Sequence, residues 1–129
     1  MILIDTSAWI DFFRGHDPYG RCVDDLIRAD QAALCGPVVT ELRRGLRPRS
    51  DRGRIVRLLE GCQLLRQPDR LWDEAGELGA MLGRRGATVK TLDLLIAAYA
   101  LAHSVPILTR DADFSVMRRG GLDLVLVTP

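Results

Sequence analysis

The sequence predicts an α/β protein built on a parallel sheet of four to five short strands, arranged in three layers. Three observations carry this. Short apolar runs alternate with segments of helical period, the mark of βαβ units. Hydrophobic residues make up 47% and charged residues 27% of 129 residues, which suits one domain, 1–129, with a substantial core. Neither repeats, nor low-complexity sequence, nor a linker interrupts the pattern.

The elements follow in order. "MILI" reads as a short buried strand. "DTSAWIDFFRG" follows as a helix, with Thr6 or Asp5 as N-cap and Gly15 as the stop. "YGRCVDDLIRAD" has helical spacing at Val23, Leu26 and Ile27, and "AALC" is a short strand. "GPVVTELRRGL" places Pro37 in a first helical turn. "SDRGRIVRLLEG" is a helix with Ser50 as N-cap and Ile55, Leu58 and Leu59 as its apolar face. "CQLL" is a third strand. "PDRLWDEAGELGAMLGRRG" is a longer helix striped by Leu71, Ala75, Leu78 and Leu82. "TLDLLIAAYALAHS" is apolar nearly all round and is therefore expected to be buried, with Thr91 as N-cap. "VPILT" is a strand, "DADFSVMRR" a short helix and "LDLVLVT" the last strand.

The net charge of +1 does not by itself indicate a polyanionic partner. The kind of cation says more. Every basic residue but Lys90 is arginine, whose planar fork binds phosphate bidentately; a GC-rich coding bias gives the same composition. Cys22, Cys35 and Cys62 are odd in number and widely spaced, so neither zinc nor a disulfide framework is indicated. They read as buried thiols of a reducing compartment. "MILIDTSAW" lacks a basic leader, and "LLIAAYALA" is too short to span a bilayer. The expectation is a cytoplasmic protein with no membrane association.

The acids are the informative residues. Asp5 ends the first strand and Asp111 lies just past "PILTR", so parallel strands bring both to the carboxyl edge of the sheet. Each also suits a helix N-cap. Glu41 lies beside the stripe of Val38, Leu42, Gly45 and Leu46, where a carboxylate needs an arginine or a metal as partner. Asp93 shares a face with Ile96, Ala97 and Ala100 in the most apolar helix. The helix dipole favours an anion there by only ~0.3–1 kcal/mol, against a burial penalty of several kcal/mol. Two such charges ~4 Å apart repel by about 4 kcal/mol at an effective dielectric near 20, so a cluster requires a compensating cation. Oxygen donors without paired Cys or His select Mg²⁺ or Mn²⁺. His16 and His103 read as a loop residue and a core residue, not as acid–base catalysts.

Taken in order, "LIDTSAWID", "VVTELRRG", "LDLLIAAYA" and "ILTRDADF" resemble PIN-domain proteins, and more narrowly the VapC toxins of bacterial toxin–antitoxin pairs. The resemblance covers the whole chain. It implies an α/β/α sandwich, a Mg²⁺- or Mn²⁺-dependent endoribonuclease, a homodimer, and a VapB-type antitoxin forming a heterotetramer or larger assembly. By position it implies Asp5, Glu41, Asp93 and Asp111 as the catalytic acids. Asp5, Asp93 and Asp111 would hold the metal, while Glu41 orients the attacking water or completes a second site. Asp113 stands where many relatives carry an additional acid, a ligand through water or a surface residue. Thr6 and Thr109 match hydroxyls that support the first and last acids. Some relatives have an acid where this chain has Ala97, which weakens a second metal site. The implied reaction is hydrolysis leaving a 5′-phosphate and a 3′-hydroxyl, on a loop of tRNA or ribosomal RNA.

Arg43, Arg44, Arg47, Arg49, Arg52, Arg54 and Arg57 fall together, opposed only by Asp51. They are either an RNA-contacting face or a solvated one. An aspartate-nucleophile phosphatase would want an acid where Ser7 stands, and a receiver-type phosphoacceptor would want one where "CQLL" meets Arg66, Gln67 and Pro68. A catalytically inactive PIN domain serving as a binding scaffold is the remaining alternative.

Overall fold

A computed structural model describes residues 1–45 and 52–129. Leu46 of the expected helical stripe, Arg47, Arg49, the expected cap Ser50 and Asp51 lie outside the described residues. The elements run β1 (Ile2–Ile4), α1 (Thr6–Arg14), α2 (Tyr19–Arg28), β2 (Ala32–Leu34), α3 (Gly36–Gly45), α4 (Arg52–Glu60), β3 (Gln63–Leu64), α5 (Leu71–Arg84), α6 (Thr91–His103), β4 (Ile107–Leu108), α7 (Ala112–Arg119) and β5 (Leu126–Val127).

The five strands form one parallel sheet in the order β3-β2-β1-β4-β5. Parallel strands are covered on both faces, which is why their sequences are continuously apolar. Leu3, Ile4, Ala33, Ile107 and Leu108 are fully buried. The outermost strands are reduced to two residues each, and Leu64 on β3 is exposed. Right-handed crossovers put the helices before β3 on one face and those after it on the other, giving three layers. Most helix contacts agree: α1 touches α2 and α3, and α6 touches α5 and α7, although α3 and α6 also meet each other.

This order contains a switch point. From β1 the chain moves outward to β2 and β3; from β4 it moves the other way to β5. The connections leaving β1 and β4 therefore diverge, and a crevice opens between neighbouring strand ends. The β1–β4 ladder continues into it, with the Asp5 N–H donating to the Leu108 carbonyl at 3.0 Å. A crossover helix runs back along the sheet, so α6, which leads into β4, has its N-terminus at this same edge.

Several local expectations change. Asp5, not Thr6, is the N-cap of α1, and its side chain accepts from the Ser7 N–H. Gly15 closes that helix in the left-handed region at φ 68°. Thr91 is the first helical residue of α6 and Lys90 is its N-cap, so Asp93 still falls in the first turn. Cys35 is buried, but Cys22 on α2 and Cys62, just beyond the end of α4, are only half-buried. No helix among the described residues is long and apolar enough to cross a membrane.

Candidate metal centre

Asp5 leaves β1 almost completely buried, at 3% exposure. Its Oδ2 accepts from Ser7 Oγ at 2.8 Å and from Thr109 Oγ1 at 2.9 Å. Thr109 in turn accepts from the Asp111 backbone N–H at 2.9 Å. One hydroxyl therefore ties the ends of β1 and β4 together. Asp111 caps α7 by accepting from the Asp113 N–H through Oδ1 at 2.9 Å. Capping and site membership coexist because a cap occupies one carboxylate oxygen.

Glu41 is half-buried on α3, and Thr6 Oγ1 donates to its Oε1 at 2.7 Å. Thr6 thus supports Glu41, not Asp5 as its position suggested. Being next to the cap, it faces α3, while Ser7 turns back to Asp5. Ser7 was missed in the sequence, where the only signal is a hydroxyl two residues after an N-cap aspartate. No arginine among the described residues pairs with Glu41.

Asp93 is the unsatisfied member. It is 7% exposed, and its Oδ2 is buried without a hydrogen-bond partner. Its pKa is pushed up to about 7, chiefly by burial, then by the charges of Asp111, Asp5, Asp113 and Glu41. One oxygen each of Asp93, Asp111 and Asp113 lies within 4.8 Å of the others, close enough to share an ion. Asp113 therefore joins this group, whereas Asp5 flanks it with Oδ2 already engaged. Ala97, one turn beyond Asp93, is fully buried and supplies no further donor.

Burial also pushes the Cys35 thiol up to about 12, with Asp5 and Glu41 adding to the effect, so it is no nucleophile. His103 is hydrogen-bonded to the Arg66 carbonyl oxygen and His16 is mostly exposed, so neither enters the site. Arg43, Arg44 and Arg52 are exposed and form no ion pair among the described residues. A third buried acid, Asp11 on α1, lies outside this group; Arg110 Nε is 3.3 Å from its Oδ2. Its signal in the sequence is a position three residues after Ala8, on the face that α1 buries.

An all-oxygen group around an orphaned, buried carboxylate oxygen fits a hard divalent cation. The family model for the PIN domain matches residues 2–120. The chain belongs to the PIN-domain family. Among relatives of this PIN domain, Ribonuclease VapC11 of Mycobacterium tuberculosis is 34% identical over 124 residues, covering 92% of each chain. The fold is similar to that in a toxin–antitoxin complex from Klebsiella pneumoniae, with TM-score 0.76, 21% identity and coverage of 98% of this chain and 97% of the other. It is also similar to VapBC2 from Rickettsia felis bound to a promoter DNA fragment, with TM-score 0.73, 22% identity and 98% coverage of both.

Proposed function

We propose that this PIN domain is a Mg²⁺- or Mn²⁺-dependent endoribonuclease, the toxin of a VapBC-type pair, that hydrolyses a loop of structured RNA. The observation that carries the reading is the unpartnered Oδ2 of Asp93, buried among like charges. A core aspartate with no resident cation is unfavourable for the fold alone, and it makes sense as an ion-binding group.

Asp93, Asp111 and Asp113 would hold the ion directly, with Asp5 beside them. When bound, the cation supplies positive charge against the scissile phosphate and acidifies a water. Asp5 is fixed in one rotamer by two hydroxyls, so its other oxygen has a set direction. Glu41 is likewise held by Thr6, and its Oε2 is left to accept a proton from an attacking water. Thr109 keeps the Asp111 backbone in register with Asp5. Arg43, Arg44, Arg47, Arg49 and Arg52 would offset repulsion between this acidic centre and the RNA backbone. Single-stranded loops suit the site because their phosphates are accessible. The likeness to toxin–antitoxin complexes supports a VapB-type antitoxin as partner, and a homodimeric toxin is part of the proposal.

The test is cleavage of bulk RNA with Mg²⁺, Mn²⁺ and EDTA, followed by analysis of the ends. Cation-dependent 5′-phosphate and 3′-hydroxyl ends are expected. Cleavage that survives EDTA, or 2′,3′-cyclic phosphate ends, would refute the mechanism; RNA binding without cleavage under any cation would favour the scaffold reading.

A further inference from the structure

Outside the acid cluster, the most unusual side chain is Asp11. It is 3% exposed on α1, and its Oδ1 is buried without a hydrogen-bond partner. Two cationic groups approach it. His16 Nδ1 lies 3.8 Å from Oδ1 and is charged only when protonated; Arg110 Nε lies 3.3 Å from Oδ2. The Arg110 side chain is 56% exposed, and its two Nη groups have no partner among the described residues. Arginine–carboxylate pairs frequently present the flat edge of the guanidinium to both carboxylate oxygens. Here the contact is through Nε, and the rest of the fork is left toward solvent.

The place of Arg110 matters as much as its pairing. It stands between Thr109, which donates to Asp5, and Asp111 of the cluster. Its backbone N–H donates to Ser7 Oγ at 3.0 Å, and Ser7 Oγ donates to Asp5 Oδ2. The backbone of Arg110 is thus two hydrogen bonds from a site carboxylate, and its side chain is tethered by a buried acid on the neighbouring helix. A polyanion approaching the cluster needs a cation at the rim, and a pre-positioned guanidinium loses less freedom on binding than a free one.

We propose that Arg110 contacts a phosphate of the RNA substrate at the rim of the acid cluster, and that Asp11 is the positioning residue that aims it. This rests on the ribonuclease reading above, and it adds a specific substrate contact to it.

The experiment compares wild type, Arg110→Gln, Arg110→Lys, Asp11→Asn and the double variant Asp11→Asn/Arg110→Gln. Binding of bulk tRNA is measured in EDTA across a salt series, alongside thermal midpoints and cleavage kinetics with Mn²⁺. Arg110→Gln should weaken binding about tenfold and reduce the salt slope by about one, with KM raised more than kcat is lowered. Arg110→Lys should recover the slope but only part of the affinity. Asp11→Asn should weaken tRNA binding severalfold when Arg110 is present and not at all in the Arg110→Gln background; equal effects in both would overturn its positioning role. The double variant relieves the unpaired buried charge, so it should regain thermal stability without regaining affinity. Recovery of affinity in the double variant, or a wild-type slope in Arg110→Gln, overturns the proposal while leaving the nuclease reading intact. An Arg110-dependent salt slope in a protein that cleaves under no cation would do the reverse. A wild-type protein that does not bind tRNA would overturn the phosphate contact outright.

Discussion

Asp11 and Asp93 are both aspartates on helices, and both are nearly inaccessible. Each has one buried oxygen without a hydrogen-bond partner. Their surroundings are opposite. Asp11 has an arginine and a histidine beside it. Asp93 has Asp111, Asp5, Asp113 and Glu41, and its pKa is raised to about 7. A carboxylate that holds a side chain in place is given its cation by the chain. One surrounded by like charges is stable in its ionised form only when a cation comes from solution.

Asp93→Asn tests that contrast most severely. It keeps the shape of the side chain but removes the charge, so cleavage should fall at least about a hundredfold, since loss of the cation forfeits several kcal/mol of charge stabilisation. The fold should not suffer, because the substitution relieves repulsion. Asp11→Asn should act with the opposite sign on stability, lowering the thermal midpoint by leaving Arg110 without its partner. Unfolding of Asp93→Asn, or an unchanged midpoint in Asp11→Asn, would break the comparison.

The pH dependence sharpens it. A carboxyl whose folded pKa lies above its unfolded value near 3.8 contributes stability that is full below that value and lost as pH rises through about 7. Metal-free protein should therefore show a thermal midpoint that declines between pH 5 and 8 by an amount absent in Asp93→Asn. Added Mg²⁺ should raise the midpoint more at pH 8 than at pH 5.5, because protons and the cation compete for the same oxygens. Calorimetry in the two buffers, with and without Mg²⁺, reads both effects. Equal Mg²⁺ shifts at the two pH values would count against Asp93 as a ligand.

The carboxylates themselves were legible in the sequence. Asp5 and Asp111 follow apolar runs that can only be strands, and Asp93 interrupts a helix with no polar face. What the sequence did not show is how each acid spends its two oxygens. Whether Thr6 turns toward Asp5 or Glu41 depends on one rotamer at a helix start. Ser7 and Thr109 meet across 102 residues of chain, a juxtaposition created by the β1–β4 pairing. Asp113 joins the cluster because α7 begins at Ala112, which turns its side chain back over Asp111. β3, β4 and β5 came out at two residues each, shorter than their apolar runs, and the interior position of β4 shows that edge exposure alone does not set strand length.

Thr6→Val carries the smallest expected effect and separates positioning from binding. It removes the 2.7 Å hydrogen bond to Glu41 without moving a charge. Bonds to charged acceptors contribute ~1.5–3 kcal/mol when well shielded; Glu41 is half-buried, so about 1 kcal/mol of stability should be lost. Glu41 lies outside the trio that closes on an ion. Mg²⁺ affinity, read from the thermal shift, should therefore be unchanged while kcat falls severalfold. Parallel losses in both would place Glu41 among the ligands and move the water-orienting role elsewhere.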